Sequence, residues 1–75
     1  MEGTARFDYS DLIGKMASKG ITRRDLAPKI GMNISYFGQL LSAGKPMSSD
    51  KILRSAQILE IPVADIGAYF FTLKY

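Results

Sequence analysis

Cysteine and histidine are both missing from the 75 residues. Without thiolates or imidazoles, the chain lacks the usual ligands of transition-metal sites and the usual nucleophile and base of hydrolytic catalysis. No apolar run approaches the roughly 20 residues that span a bilayer. The N-terminus carries no charged-then-apolar leader pattern, so the expected location is cytoplasmic. A glycine-rich phosphate loop is also lacking. The aspartates Asp8, Asp11, Asp25, Asp50 and Asp65 fall in or near expected helix starts, where capping and the helix dipole account for them without paired carboxylates for acid–base work. These absences predict a protein that is not an enzyme, with no cofactor, no metal, no small-molecule substrate and no membrane segment.

What is present suits a folded domain. Apolar residues make up 47% of the chain and charged ones 23%, the balance of a packed core rather than a disordered tail. The length allows one core, so residues 1–75 are read as a single domain. The formal charge of +3 conceals a segregation. From Lys15 to Arg54, eight basic residues (Lys15, Lys19, Arg23, Arg24, Lys29, Lys45, Lys51, Arg54) face only Asp25 and Asp50, a net +6, while the flanks are net acidic. A basic middle between acidic ends suggests a face for a polyanion.

Helix starts recur as an apolar residue, a capping residue, and a second apolar residue five positions after the first, the pattern of a hydrophobic staple. Phe7–Asp8–Leu12, Ile21–Thr22–Leu26, Met32–Asn33–Phe37 and Met47–Ser48–Ile52 all fit, and Ile61–Pro62–Ile66 is a variant with proline in the first turn. Gly20, Gly31 and Gly44 follow apolar-periodic stretches and read as helix stops. The spacing predicts five helices near 9–18, 23–30, 34–42, 49–59 and 63–71. Their core stripes are Leu12, Ile13 and Met16; Leu26, Ala27 and Ile30; Phe37, Leu40 and Leu41; Ile52, Leu53, Ala56 and Leu59; and Ile66, Tyr69 and Phe70.

Only Gly31, Met32 and Asn33 join the second and third helices, too little chain for antiparallel stacking but enough for a sharp crossing with glycine at the corner. Ala27, four residues before that glycine, is placed to face the third helix, and Phe37 and Leu40 to anchor it from beneath. This is a helix-turn-helix pattern over about 22–42.

The run ITRRDLAPKIGMNISYFGQLL, Ile21 to Leu41, resembles the DNA-binding motif of the Cro/CI repressor family of bacteriophages and bacteria. The likeness continues from Lys45 to Ile66, with a proline after the recognition helix and an Ala-x-x-Leu element at Ala56 to Leu59. The opening FDYSDLIGKM and the ending IGAYFFTLKY look like small proteins of Gram-positive phages. Pro28 departs from the pattern, since proline inside a helix removes a hydrogen bond and tends to kink or shorten it. Phe37 stands where the family often carries Ile or Val.

The resemblance implies an all-α, five-helix, lambda-repressor-like DNA-binding domain, with a short extended C-terminal tail. It implies a transcriptional regulator of the Cro-like repressor kind, working on the nucleoid in the cytoplasm of a bacterial host, with the helix over 34–42 in the major groove of a double-stranded operator. Ile34, Ser35, Tyr36 and Gln39 are then the base-contact candidates: Gln39 pairs with adenine, Ser35 donates or accepts, and Ile34 touches a thymine methyl. Thr22, Arg23, Lys45 and Ser48 are the phosphate-contact candidates.

A second reading stays open, in which the chain is an antirepressor or interaction module that binds a phage repressor protein and blocks its DNA binding. Gly38 in the middle of the presumed recognition helix costs roughly 1 kcal/mol relative to Ala, and that helix holds no Arg for guanine. Tyr69, Phe71, Leu73 and Tyr75 crowd large apolar side chains at the C-terminus and read as an association surface, for a homodimer first and a repressor partner second.

Overall fold

The computed structural model describes residues 6–74. It is an all-α domain of five helices: α1 Ser10–Ser18, α2 Arg23–Lys29, α3 Ile34–Ala43, α4 Ser49–Leu59 and α5 Ile66–Phe70, the last entered through a 3₁₀ turn at Val63–Asp65. Two short strands, β1 Arg6–Phe7 and β2 Leu73–Lys74, pair antiparallel, with Arg6 opposite Lys74 and Phe7 opposite Leu73. The expected extended tail is thus real and is the outer member of this pair.

Four helix ends share one chemistry. Gly20, Gly31 and Gly44 take left-handed backbone at φ 68°, 74° and 71°. After each, the next N–H turns back to a carbonyl of the helix just ended: Ile21 to Met16 (2.9 Å), Met32 to Ala27 (2.8 Å) and Lys45 to Leu40 (3.1 Å). The fourth end, after α4, uses Glu60 at φ 58°, with Ile61 N–H on Ala56 O at 2.8 Å. That stop carries no glycine signal.

Ile21 and Met32 each serve twice. Each closes the helix behind it through its N–H, and each packs its half-buried side chain on the core as the apolar residue preceding the next cap. Sharing a residue between a stop and a start is why the connections are so short.

The caps are only partly as expected. Thr22 and Asp25 form a complete capping box, and Asn33 accepts from Tyr36 N–H at 3.1 Å. Asp8 sits one position before the N-cap Tyr9 and accepts from Ser10 N–H at 2.9 Å. Ser48 makes no cap bond; its hydroxyl donates to the Asp50 carboxylate at 2.8 Å instead. Pro28 neither displaces the Thr22 cap nor breaks α2, because it is the penultimate residue and the helix ends at Lys29 in any case.

The core gathers Leu12, Leu26, Ile30, Phe37, Leu40, Leu59 and Phe70, with Ala27 wholly buried as the helix-crossing argument requires. Ile13 and Leu53, expected in the core stripes, are 47% and 51% exposed. Each follows a core residue, Leu12 or Ile52, and one residue turns a helix by about 100°, out of the packed face.

The segments 6–9 and 72–74 meet beside the C-terminus of α3. Phe7 N–H donates to Gly44 O at 3.0 Å, Asp8 N–H to Thr72 O at 2.7 Å, and the buried Tyr9 hydroxyl to Lys45 O at 2.6 Å. Burial raises the Tyr9 pKa above its usual value.

Gly44 is therefore constrained twice. A Cβ there would lie 2.6 Å from Phe7 O and 2.9 Å from Arg6 Cβ, whereas one on Gly20 meets nothing within 4 Å. Gly20→Ala should cost only the left-handed strain, about 1–2 kcal/mol. Gly44→Ala should cost more, because β1 must move as well. Urea unfolding of the two variants checks the order, with Gly44→Ala having the lower midpoint.

Candidate nucleic-acid interface

The turn between α2 and α3 determines how α3 is presented. Ala27 on α2 and Phe37 on α3 are both fully buried, and the two helices pack directly on each other. With Phe37 and Leu40 directed inward, the 100° step per residue puts Ser35 and Gln39 on the opposite side of α3, and Tyr36 beside them. Ile34, Ser35, Tyr36 and Gln39 are all exposed. Ile34 and Tyr36 keep 42% and 46% of their surface in water.

Cations border this face. Lys45, just past the end of α3, holds its Nζ 5.7 Å from the centre of the Tyr36 ring, a cation–π distance. Arg23 and Arg24 open α2, and together with Thr22, Ile34 and Ser35 they line an open notch of about 390 Å³ between the starts of α2 and α3. Among the described residues, Arg23, Arg24 and Lys45 form no ion pair, whereas Lys19 pairs with Glu60 at 2.8 Å and Lys51 lies 3.8 Å from Asp50.

Arg23 has a feature that spacing does not reveal. A Cβ on Gly38 would lie 2.6 Å from its Nη1, so the guanidinium rests against α3 in the space the glycine leaves. Gly38 therefore makes room for a cation at the helix surface.

The expected site residues thus divide. Ser35 and Gln39 share the outer surface of α3, with Ile34 and Tyr36 exposed on its two flanks, and Thr22, Arg23 and Lys45 stand around it. Ser48 is exposed but its hydroxyl is engaged by Asp50, which puts a carboxylate beside it. Thr22 is likewise occupied, donating its hydroxyl to Asp25 at 2.9 Å while accepting from Asp25 N–H at 3.2 Å.

In the tail, Phe71 and Leu73 are 51% and 42% exposed, with Phe71 edge-on to Phe7 at 5.9 Å between ring centres. Tyr69, expected on the association surface, is half-buried and packs against the core beside the fully buried Phe70. Tyr75 lies outside the described residues.

Two residues that sequence reasoning did not place near the site belong to its frame. Asp25 accepts from Thr22 N–H at 3.0 Å and holds the first turn of α2. Lys51 reaches back from α4 to Gly31 O at 3.4 Å, at the corner between α2 and α3. No family model matches the chain, and no curated protein matches it either.

The Thr22 backbone and hydroxyl bonds lower the Asp25 pKa below its ordinary 3.8. A carboxylate depressed in the folded state contributes stability that is present above its unfolded pKa and is lost as pH falls through the folded value. The stability gap between the wild type and Asp25→Asn should therefore be constant near neutrality and close in acid, below about the ordinary carboxylate value. Thr22→Ala should cost roughly 1 kcal/mol at neutral pH. Urea unfolding across the acid range reads both.

Proposed function

We propose that the chain is a sequence-specific binder of double-stranded DNA, a transcriptional regulator of the Cro-like repressor kind that lays α3 in the major groove. The observation that carries this reading is the outer surface of α3, where Ser35, Tyr36 and Gln39 stand exposed among three cations that have no carboxylate partner among the described residues. A recognition helix needs short polar side chains that reach base edges near its start, with positive charge on either side for phosphates. Gln39 supplies the paired donor and acceptor that match adenine, and Ile34 an apolar contact for a thymine methyl.

Arg23 and Lys45 serve the phosphates. They act as a sequence-independent anchor whose strength falls with salt as counterions are released. The exposed Phe71 and Leu73 serve a second copy, so that two recognition helices lie about one turn of DNA, roughly 34 Å, apart on a near-palindromic operator. The place of action is the nucleoid of a bacterial host.

A second reading takes the apolar character of the same surface as its observation. Ile34 and Tyr36 on α3, with no Arg on that helix, suit an antirepressor that covers the DNA face of a phage repressor protein. Selection of binding sites from random duplexes separates the two readings. Enrichment of an inverted repeat supports the DNA reading; no enrichment at low salt overturns it.

On the selected site, Gln39→Ala should weaken binding by about 1–3 kcal/mol while leaving random duplex nearly untouched. Arg23→Ala and Lys45→Ala should each weaken binding to every sequence and reduce the salt slope by about one. Fluorescence anisotropy at several salt concentrations measures all three.

Gly38→Ala separates stability from function. Replacing a mid-helix glycine should stabilise the fold by up to about 1 kcal/mol, since the displaced atom is the end of a flexible side chain. It should also move the Arg23 guanidinium off α3 and weaken DNA binding. Thermal melting and the same anisotropy titration give the two readouts, which should change in opposite directions.

A further inference from the structure

An open groove of about 470 Å³ runs between α1 and α3, on the side of α3 next to the proposed DNA face. Its walls include Ile13, Met16 and Ala17 from α1 and Gly38 and Leu41 from α3, and Arg23 lies at its rim. The core is complete without Ile13: Leu12 and Met16 are buried, and Ile13 leaves 47% of its surface in water above the groove. Arg23 rests its guanidinium on the Gly38 wall and, among the described residues, pairs with no carboxylate. An apolar trough with one cation on its wall is complementary to an apolar row that carries one acid.

The openness of the trough decides what kind of molecule fits. A small ligand pocket encloses about 70–90% of its occupant, which a trough between two exposed helix faces does not. An amphipathic helix needs only one side of itself covered, through residues at i, i+3, i+4 and i+7.

We propose that this groove docks an amphipathic helix of a partner protein, its apolar row seated against the exposed Ile13 and Ala17 over a floor of buried Met16 and Leu41, and an Asp or Glu pairing with Arg23. The pairing is charge-assisted and favours the planar guanidinium fork. The net +6 between Lys15 and Arg54 attracts the acidic partner over longer range. Arg23 also lines the notch at the starts of α2 and α3. A guanidinium turned onto a carboxylate in the groove is drawn away from a phosphate at the notch, and the two anions repel, so partner and DNA compete. This competition rests on the DNA reading; the docking does not.

The test is a display selection of randomised helical peptides on the full chain, counter-selected on Ile13→Glu, with Ala17→Arg as a second groove variant. Both positions are exposed, so both variants keep the wild-type circular dichroism and melting temperature. The enriched peptides should carry an apolar row and an Asp or Glu, and should lose about tenfold or more in affinity on either groove variant and on Arg23→Ala. Added to the duplex titration, they should displace DNA from the wild type.

Peptides that bind the wild type and both groove variants alike, or that discriminate but carry no acid, overturn the proposal. So does a selection that enriches nothing. Acidic groove-specific peptides from a chain that binds no duplex sustain the docking and reject the DNA reading. Duplex binding without such peptides does the reverse.

Discussion

The hydrogen bond from Met32 N–H to Ala27 O, closed by Gly31 in the left-handed conformation, is the constraint on which the rest of the molecule depends. It ends α2 one residue after Pro28 and turns the chain sharply. It also delivers Met32 to the core as the residue before the Asn33 cap. The start of α3 is set by these few atoms. Ala27 then permits close approach and Phe37 fills the crossing, so α3 can rotate little without opening a cavity, which costs several kcal/mol for an aromatic residue.

With that rotation set, the rest of α3 has fixed assignments. Phe37 and Leu40 look inward, Ser35 and Gln39 look outward, and Gly38 lies between them on the flank facing α1. The glycine has two opposed effects. It costs helix propensity, and it lets Arg23 lie against α3 instead of extending into solvent. That single cation borders the notch between the helix starts and the apolar groove beside α1. Any polyanion at the first and any acidic helix at the second engages the same guanidinium.

A second constraint binds β1, β2 and the start of α1 to the centre. Gly44 must be left-handed to end α3, and it must lack a side chain because Phe7 donates to its carbonyl and packs its backbone against it. Tyr9 reaches the next carbonyl, at Lys45. The first turn of α1, the end of α3 and the tail are thereby one unit. The tail that composition alone presents as an apolar surplus is divided: Phe70 completes the core, Tyr69 half enters it, and Phe71 and Leu73 stay outside beside the β1–β2 pair. The C-terminal surface is smaller than a count of aromatic residues suggests.

Local chemistry was written in the sequence. Helix starts at Thr22 and Asn33, stops at Gly20, Gly31 and Gly44, and the buried stripes from Leu12 to Phe70 are determined within a few residues of each other, because capping, left-handed backbone and helical period are short-range. The same logic placed Ile34, Ser35, Tyr36 and Gln39 away from the core. It failed where a choice was energetically close or lay far along the chain. Ile13 and Leu53 adjoin the core face, and only packing decides on which side of its edge they fall. Glu60 accepts a left-handed conformation without being glycine, held by the Ile61 turn and the buried Leu59 and Ile61 on either side. Ser48 had two short-range partners and took the Asp50 carboxylate over the helix N–H. The contacts of Gly44 with Phe7, of Tyr9 with Lys45 and of Arg23 with Gly38 join residues 15 to 37 positions apart. No local period encodes such pairs; they exist because helices of these lengths, joined by turns this short, bring those atoms to the same place.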